Sequence, residues 1–380
     1  MPAYSGALLL EGPGRVSVVS GVLHVLGYRL EAGGSIVVPA GRRVPALAED
    51  AVLEHSLSGI GELSEEAYRR LDSLAERLAE HGRVMIVGRS DSGKSTLAAW
   101  VANKAGADML TLDVGQNELF CPGFAARLRP EGPVIPGSSS GSVEACFVGG
   151  FSPRGLVDRY LYCAARLSRN GRLVVDTDGW VSRWDGLLSK AAAAVAVGVE
   201  VIVSFGLDPV EVGLLERYTG AEVVVVEPFA SQSKSVEERR THRDRLIAGC
   251  VSGGESRNYK VDKTIVVGAP IFRGTPVDVA EASKLVGAPV VYAELADGVL
   301  HVVSRRRVRA PRVRVLQPGW ERGLIAAVHS EGRVWPGIVT GVSYKARVVT
   351  VHTRAPAQAE LVEIGVSRVD PDKFTGKPVW

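Results

Sequence analysis

Val84-Met85-Ile86-Val87 runs without a break into Gly88-Arg89-Ser90-Asp91-Ser92-Gly93-Lys94-Ser95-Thr96, and Leu97 to Ala105 continue in residues that favour a helix. An apolar strand, a loop of the form G-x-x-x-x-G-K-[ST] and a helix are the three parts of a P-loop. The spacing has a physical reason. Glycines let backbone N–H groups turn inward onto phosphate oxygens, and the N-terminus of the helix adds its dipole. Lys94 then reaches the β- and γ-phosphates of a nucleotide and Ser95 can ligate magnesium, so Gly88 to Thr96 is the expected ATP-binding segment.

Further apolar runs alternate with helical segments on the C-terminal side of this loop: Met109 to Leu112, Leu173 to Val175, Val201 to Phe205, Val223 to Val226 and Thr264 to Val267. Strands that are apolar at nearly every position are covered on both faces. The expectation is an α/β domain with a doubly wound, mainly parallel sheet. Leu110-Thr111-Leu112-Asp113-Val114-Gly115-Gln116 ends the second run with a carboxylate. In an open α/β sheet that strand end faces the ligand crevice, so Asp113 can join a magnesium shell or take a proton from an attacking hydroxyl. Guanine-specific switching is excluded, because Gln116 stands where an acid-x-x-Gly segment needs glycine and Asn103-Lys104 is followed by Ala105-Gly106.

Short β segments at Ala7–Leu10, Val16–Val19, Leu23–Leu26 and Ser35–Val38, with turns at Gly12-Pro13-Gly14, Gly21 and Gly33-Gly34, predict a small N-terminal β domain. Ser64 before two glutamates caps a helix whose Ala67, Leu71, Leu74 and Leu78 form one apolar face. Beyond Pro270 the chain is again rich in valine. The division expected is 1–63 β, 64–275 P-loop and 276–380 β-rich, giving a central P-loop NTPase flanked by β-rich domains.

The 380 residues are average in polarity, with no apolar run near the roughly 20 residues of a membrane helix and no secretory pattern, so a cytoplasmic protein is expected. The four cysteines, Cys121, Cys146, Cys163 and Cys250, form no C-x-x-C pair and read as small core residues rather than disulfide or zinc sites. A net charge of +3 decides nothing, but arginine is dense at 239–245 and again at 305–314, where it alternates with valine as on a half-exposed strand. Ser235 with Glu238 forms a capping box that places Arg239 and Arg243 one helical turn apart. Trp180, after the strand at 173–175, can stack on a base, whereas Trp184 reads as core.

Five stretches in order, GRSDSGKST at 88–96, LDVGQ at 112–116, Phe147-Val148-Gly149 to Ser152-Pro153, VVDTDGWV at 174–181 and RRTHR at 239–243, resemble the polynucleotide 5′-hydroxyl kinases. That family includes the kinase subunit of the pre-mRNA cleavage factor, the ribosome-biogenesis RNA kinase and archaeal relatives. The resemblance implies transfer of the γ-phosphate of ATP, with Mg2+, to a single-stranded RNA or DNA 5′-hydroxyl end. Asp113 would activate the hydroxyl with Gln116 beside it. Thr177 and Trp180 would clasp the nucleic acid, Arg239 and Arg243 would form a lid, and Glu11 with Arg43 would meet the adenine. Thr111 stands where the family often has a second acid, and Asp176 where the clasp usually begins with Asn. Partners in an RNA-processing complex are a further implication. Two other readings stay open: an ATP-bound scaffold without transfer activity, and a P-loop kinase or ATPase for a small molecule or protein.

Overall fold

The computed structural model describes residues 2–228 and 235–374. They divide into two compact units, one of Met1–Cys146 with Ser152–Thr241, the other of Phe147–Phe151 with His242–Trp380.

The first unit begins with β1 (Ala3–Glu11), β2 (Gly14–Val25), β3 (Tyr28–Leu30), β4 (Ser35–Val38), β5 (Arg43–His55) and β6 (Gly59–Glu62), an antiparallel sheet in which β2 pairs with both β3 and β4. Two of the expected short segments are one strand. Val16–Val19 and Leu23–Leu26 join through Gly21, whose φ of 78° sits at a pair of register shifts in β2, so this glycine bends a strand instead of ending one. Helix α1 (Glu65–Leu78) follows, its Ser64 hydroxyl accepting from the Ala67 N–H as the sequence predicts.

The central layer then runs β7 (Arg83–Gly88), α2 (Lys94–Ala105), β8 (Asp108–Leu112), β9 (Phe124–Pro130), β10 (Gly141–Phe147), α3 (Val157–Leu167), β11 (Leu173–Thr177), α4 (Arg183–Val197), β12 (Val201–Phe205), α5 (Pro209–Thr219), β13 (Glu222–Val226) and α6 (Val236–Val251). Its sheet has the order β10-β9-β8-β11-β7-β12-β13, with β8, β11, β7, β12 and β13 mutually parallel and β9 antiparallel to β8. Strand β7, which feeds the P-loop, lies between β11 and β12. The strand ends of both neighbours therefore open beside the loop. Val84, Ile86, Val174, Val201 and Val203 share one hydrophobic core with Leu97 to Val101 of α2 and with Leu10, Val25 and Ala46 of the N-terminal sheet.

In the second unit β14 (Glu255–Lys260), β15 (Ile265–Val267), β16 (Thr275–Pro276), α7 (Val279–Val286), β17 (Val290–Ala296), β18 (Val299–Ser304), β19 (Val313–Leu316), β20 (Leu324–Ser330), β21 (Arg333–Ser343), β22 (Val348–Thr353) and β23 (Leu361–Arg368) make two sheets, β14-β22-β21-β20-β23-β15 and β16-β17-β18-β19. Here the run Thr264 to Val267 departs from expectation. It pairs with Leu361–Glu363 in the six-stranded sheet and is not a strand of the P-loop sheet. A short apolar run does not say which sheet it joins.

Cys146 and Cys163 are joined by a disulfide, Cα to Cα 5.4 Å, and no free cysteine remains among the described residues. The reading of these thiols as unpaired core residues is thus corrected. They are 17 residues apart, and only the packing of α3 beside the end of β10 brings them together. Trp184 is likewise not core. It is 47% exposed at the start of α4 and meets Tyr218 edge to face.

Candidate active site

Gly93 has φ 101° where the loop turns into α2, a conformation closed to residues with a side chain, and the helix starts at Lys94. Lys94 is 6% exposed, and its ammonium donates to the Arg89 carbonyl at 2.6 Å. Burial pushes the Lys94 pKa down, opposed by the nearby carboxylates of Asp176, Asp113 and Asp178. Arg89 turns towards the end of β12, with Glu211 at 3.7 Å and the Gly206 carbonyl at 3.4 Å. Ser90, Asp91, Ser92, Gly93, Lys94, Ser95 and Thr96 line a cleft of about 230 Å³.

Asp113 and Gln116 line the same cleft. The carboxylate after β8 and the P-loop lysine therefore share one cavity. Asp113 Oδ1 accepts from the Gly115 and Gln116 N–H groups, both at 3.0 Å, so the turn that follows the strand orients it. Burial raises the Asp113 pKa, the negative charge of Asp178 adds to this, and Lys94 works against it.

Asp176, at the end of β11, is the residue that sequence reasoning passed over as a site. Its Oδ2 accepts from the Ser95 hydroxyl at 2.6 Å, while its Oδ1 is buried without a hydrogen-bond partner. Burial pushes its pKa up to about 7 against the pull of Ser95 and Lys94. The signal was present in the sequence, an apolar strand ending in an acid on the neighbour of the P-loop strand. Pairing of β11 with β7 was the missing information.

The predicted clasp divides. Thr177 is fully buried, and its hydroxyl donates to the Ile86 carbonyl at 2.8 Å, tying β11 to β7. Asp178 accepts from the Trp180 N–H at 2.8 Å and pairs with buried Lys190, whose ammonium also lies 4.9 Å from the Tyr160 ring centroid. Gly179 must be glycine for a steric reason, since a Cβ there would fall 2.1 Å from the Ser90 hydroxyl. Trp180 is half-buried, with the Arg154 guanidinium 5.4 Å from its ring centroid and no partner for its indole N–H.

In the predicted lid, Ser235 and Glu238 make the reciprocal bonds of a capping box. Arg239 donates to Asp91 of the P-loop at 2.9 Å. Arg243 falls in the second unit, where its guanidinium lies 4.9 Å from the Phe151 ring centroid. Glu11 and Arg43 do find each other at 2.9 Å, facing across β1 and β5, yet neither lines the cleft. Arg42, one residue earlier and before β5 begins, lines it together with its ion-pair partner Glu118. Pro136, Gly137 and Ser139, in a stretch without a recognised motif, complete this side.

Among the described residues no three His, Cys, Asp or Glu side chains converge on a point where they could hold a metal alone. Magnesium does not require that, since it keeps several waters and takes one or two carboxylates with nucleotide phosphates. Ser95 with the unsatisfied Asp176 oxygen fits such a cation.

Residues 88–249 match the P-loop family of the mRNA cleavage and polyadenylation factor CLP1. A polyribonucleotide 5′-hydroxyl-kinase of Thermococcus kodakarensis is 25% identical over 56% of this chain and 64% of its own length. The polyribonucleotide 5′-hydroxyl-kinase Clp1 of Xenopus tropicalis is 26% identical over 63% of each chain. This chain thus aligns with less than two thirds of either relative. A solved Clp1p–Pcf11p complex has a Clp1-like chain with a TM-score of 0.61 at 15% identity, covering 96% of both chains. At that identity the likeness concerns the fold. No helix among the described residues is long and apolar enough to cross a membrane.

Proposed function

We propose that the protein is an ATP-dependent polynucleotide 5′-hydroxyl kinase acting on RNA ends, and on DNA ends if the clasp admits them, a reading supported by the match of residues 88–249 to the CLP1 P-loop family. The observation that carries the reading is the sharing of one cleft by Lys94 and Asp113. A phosphate donor held by the first and a hydroxyl held by the second can meet in line.

Lys94 leaves the Arg89 carbonyl for the β- and γ-phosphate oxygens. Ser95 and Asp176 are the residues we assign to magnesium, in place of the expected pair Ser95 and Asp113. Bound there, the cation would neutralise charge on the phosphate oxygens. Asp113 has Oδ1 committed to its own turn, which leaves Oδ2 to accept the proton of the 5′-hydroxyl as that oxygen attacks. Arg239, released from Asp91, brings a guanidinium to the transferring phosphoryl, and Arg243 stands one turn further along the same helix. Charge spread over the equatorial oxygens makes such cations worth more in the transition state than in the ground state. Trp180 stacks on the terminal base. We assign nucleotide recognition to the 1–63 segment, where Arg42 lines the cleft, transfer to 64–275, and partner and polymer contacts to 276–380.

The test is transfer of label from γ-labelled ATP to a 5′-hydroxyl RNA oligonucleotide, with a DNA oligonucleotide of the same sequence beside it. We expect labelled RNA ends. Bound nucleotide with no labelled end would identify a scaffold subunit, and hydrolysis unaffected by oligonucleotide would identify a different kinase or ATPase; either outcome overturns the proposal.

A further inference from the structure

The segment between β18 and β19 joins two parallel strands of the small sheet in the second unit. Such crossovers usually contain a helix. This one is an extended arch of a few residues, and it carries Arg305, Arg306, Arg307, Arg309 and Arg312, with Arg314 next on β19. No Asp or Glu occurs between Gly298 and Trp320.

The arch is held in place at both ends and in the middle. Ser304 donates to the Pro289 carbonyl at 2.8 Å and accepts the Arg306 N–H at 3.2 Å. Val308 packs against the core formed by Val286, Val290 and Val302. At the far end Leu300 N–H donates to the Arg312 carbonyl at 2.9 Å, and Arg312 takes φ 54°. The backbone is thus fixed by residues other than the arginine side chains, which are all exposed.

Their neighbours show how unusual this is. Elsewhere in the same unit Arg257 pairs with Glu255, Arg273 with Asp297 and Arg322 with Asp372, while Arg354 donates to the Gly249 and Ser252 carbonyls. None of the six arch arginines has an acidic partner among the described residues. Six guanidiniums this close repel one another, and a polyanion of regular charge spacing relieves that repulsion. Val308 turning inward leaves Arg307 and Arg309 outward on either side of it, a spacing that follows a strand of phosphates better than a single anion. Backbone phosphates bound this way are read without regard to base.

We propose that the Arg305–Arg314 arch is a sequence-independent binding site for the phosphate backbone of a polynucleotide. The choice of nucleic acid as the polyanion rests on the kinase reading; the unpaired charge does not. The site adds affinity for the strand and takes no part in the chemistry at its end.

The test compares wild type with a variant carrying Arg305→Gln, Arg306→Gln, Arg307→Gln and Arg309→Gln. Val308 and the left-handed Arg312 are left alone, and matched thermal melts show that the variant folds. Binding is measured by fluorescence anisotropy with labelled uridine RNA of about 30 nucleotides over a range of salt. We expect the RNA to bind about tenfold more weakly and the salt slope to fall by about 2 to 3, roughly 0.7 for each phosphate that the arch no longer neutralises. Lysine at the same four positions should restore both values, because charge is what acts.

Unchanged affinity and slope for the RNA would overturn the proposal, as would a loss of affinity with the salt slope unchanged. Binding of wild type to phosphatidylserine vesicles that RNA does not compete away would overturn the choice of partner. The kinase reading fails separately. If wild type labels no 5′ end while RNA still binds through the arch, that reading falls and the arch stands.

Discussion

Strands β8 and β11 lie side by side, parallel, with Thr111 opposite Asp176 and Leu112 opposite Thr177, and each brings an aspartate near its C-terminal end into the cleft beside the P-loop. Their carboxylates are nevertheless held in opposite ways. Asp113 lies one residue past its strand and takes two N–H groups from the turn that follows, so one oxygen is fixed and the other is aimed. Asp176 is still inside its strand, where no turn can reach it. One oxygen takes the Ser95 hydroxyl and the other has nothing. A carboxylate oriented by its own backbone suits proton transfer, and a buried carboxylate with an unsatisfied oxygen suits a cation. Two positions along the shared register thus separate the two arrangements.

The largest effect expected from this contrast is on Asp113→Asn. An amide oxygen can still accept from Gly115 and Gln116, so the turn should survive, but the side chain no longer takes a proton. We expect the kcat for RNA phosphorylation to fall by about 10²- to 10⁴-fold, with the KM for ATP within about threefold. A kcat within a factor of about ten of wild type would remove Asp113 as the base.

A smaller effect, with a distinct pH signature, is expected for Asp176. Its folded pKa of about 7 lies above the ordinary 3.8, so the nucleotide-free protein holds a proton there that the unfolded chain releases. That contribution to stability is full below the unfolded value and is lost as the pH rises through about 7. The free protein should therefore lose thermal stability between about pH 4 and pH 7, the interval between the unfolded and folded values. Magnesium requires the ionised form, so binding of Mg2+ with ATP should tighten over the same interval. In Asp176→Asn both trends should flatten in calorimetric titrations and melts, with weaker Mg2+ dependence throughout. A variant as pH-sensitive as wild type would assign the titration elsewhere.

These two residues also show where sequence is sufficient. The loop at 88–96 and Asp113 were legible because each is a local pattern, a strand followed by a turn with a fixed chemical use. Asp176 was read as an oddity of the clasp, since its role depends on β11 lying against β7, a pairing between positions about ninety residues apart that no local pattern encodes. Arg42 was missed in favour of Arg43 for a related reason. The acid at Glu11 does pair with Arg43 across β1 and β5, while Arg42, in the turn just before β5, pairs with Glu118 and lines the cleft. The disulfide between Cys146 and Cys163 likewise depends on a helix packing beside a strand.

The smallest expected effects lie at the end of β11, where the same contrast between strand and turn separates the two residues of the expected clasp. Thr177 is inside the strand, with its hydroxyl on the Ile86 carbonyl, whereas Trp180 is past it and half-buried beside Arg154. Thr177→Val keeps the shape and removes one buried hydrogen bond, so it should cost about 1 kcal/mol of stability and leave the KM for RNA unchanged. Trp180→Ala removes a stacking surface worth about 1 to 3 kcal/mol per base, which corresponds to a KM for RNA raised roughly 5- to 150-fold at little cost in kcat. If Thr177→Val raised the RNA KM as much as Trp180→Ala does, with its melting temperature unchanged, the hydroxyl would have to leave β7 and reach the substrate. The distinction between strand and turn residues at this site would then be lost.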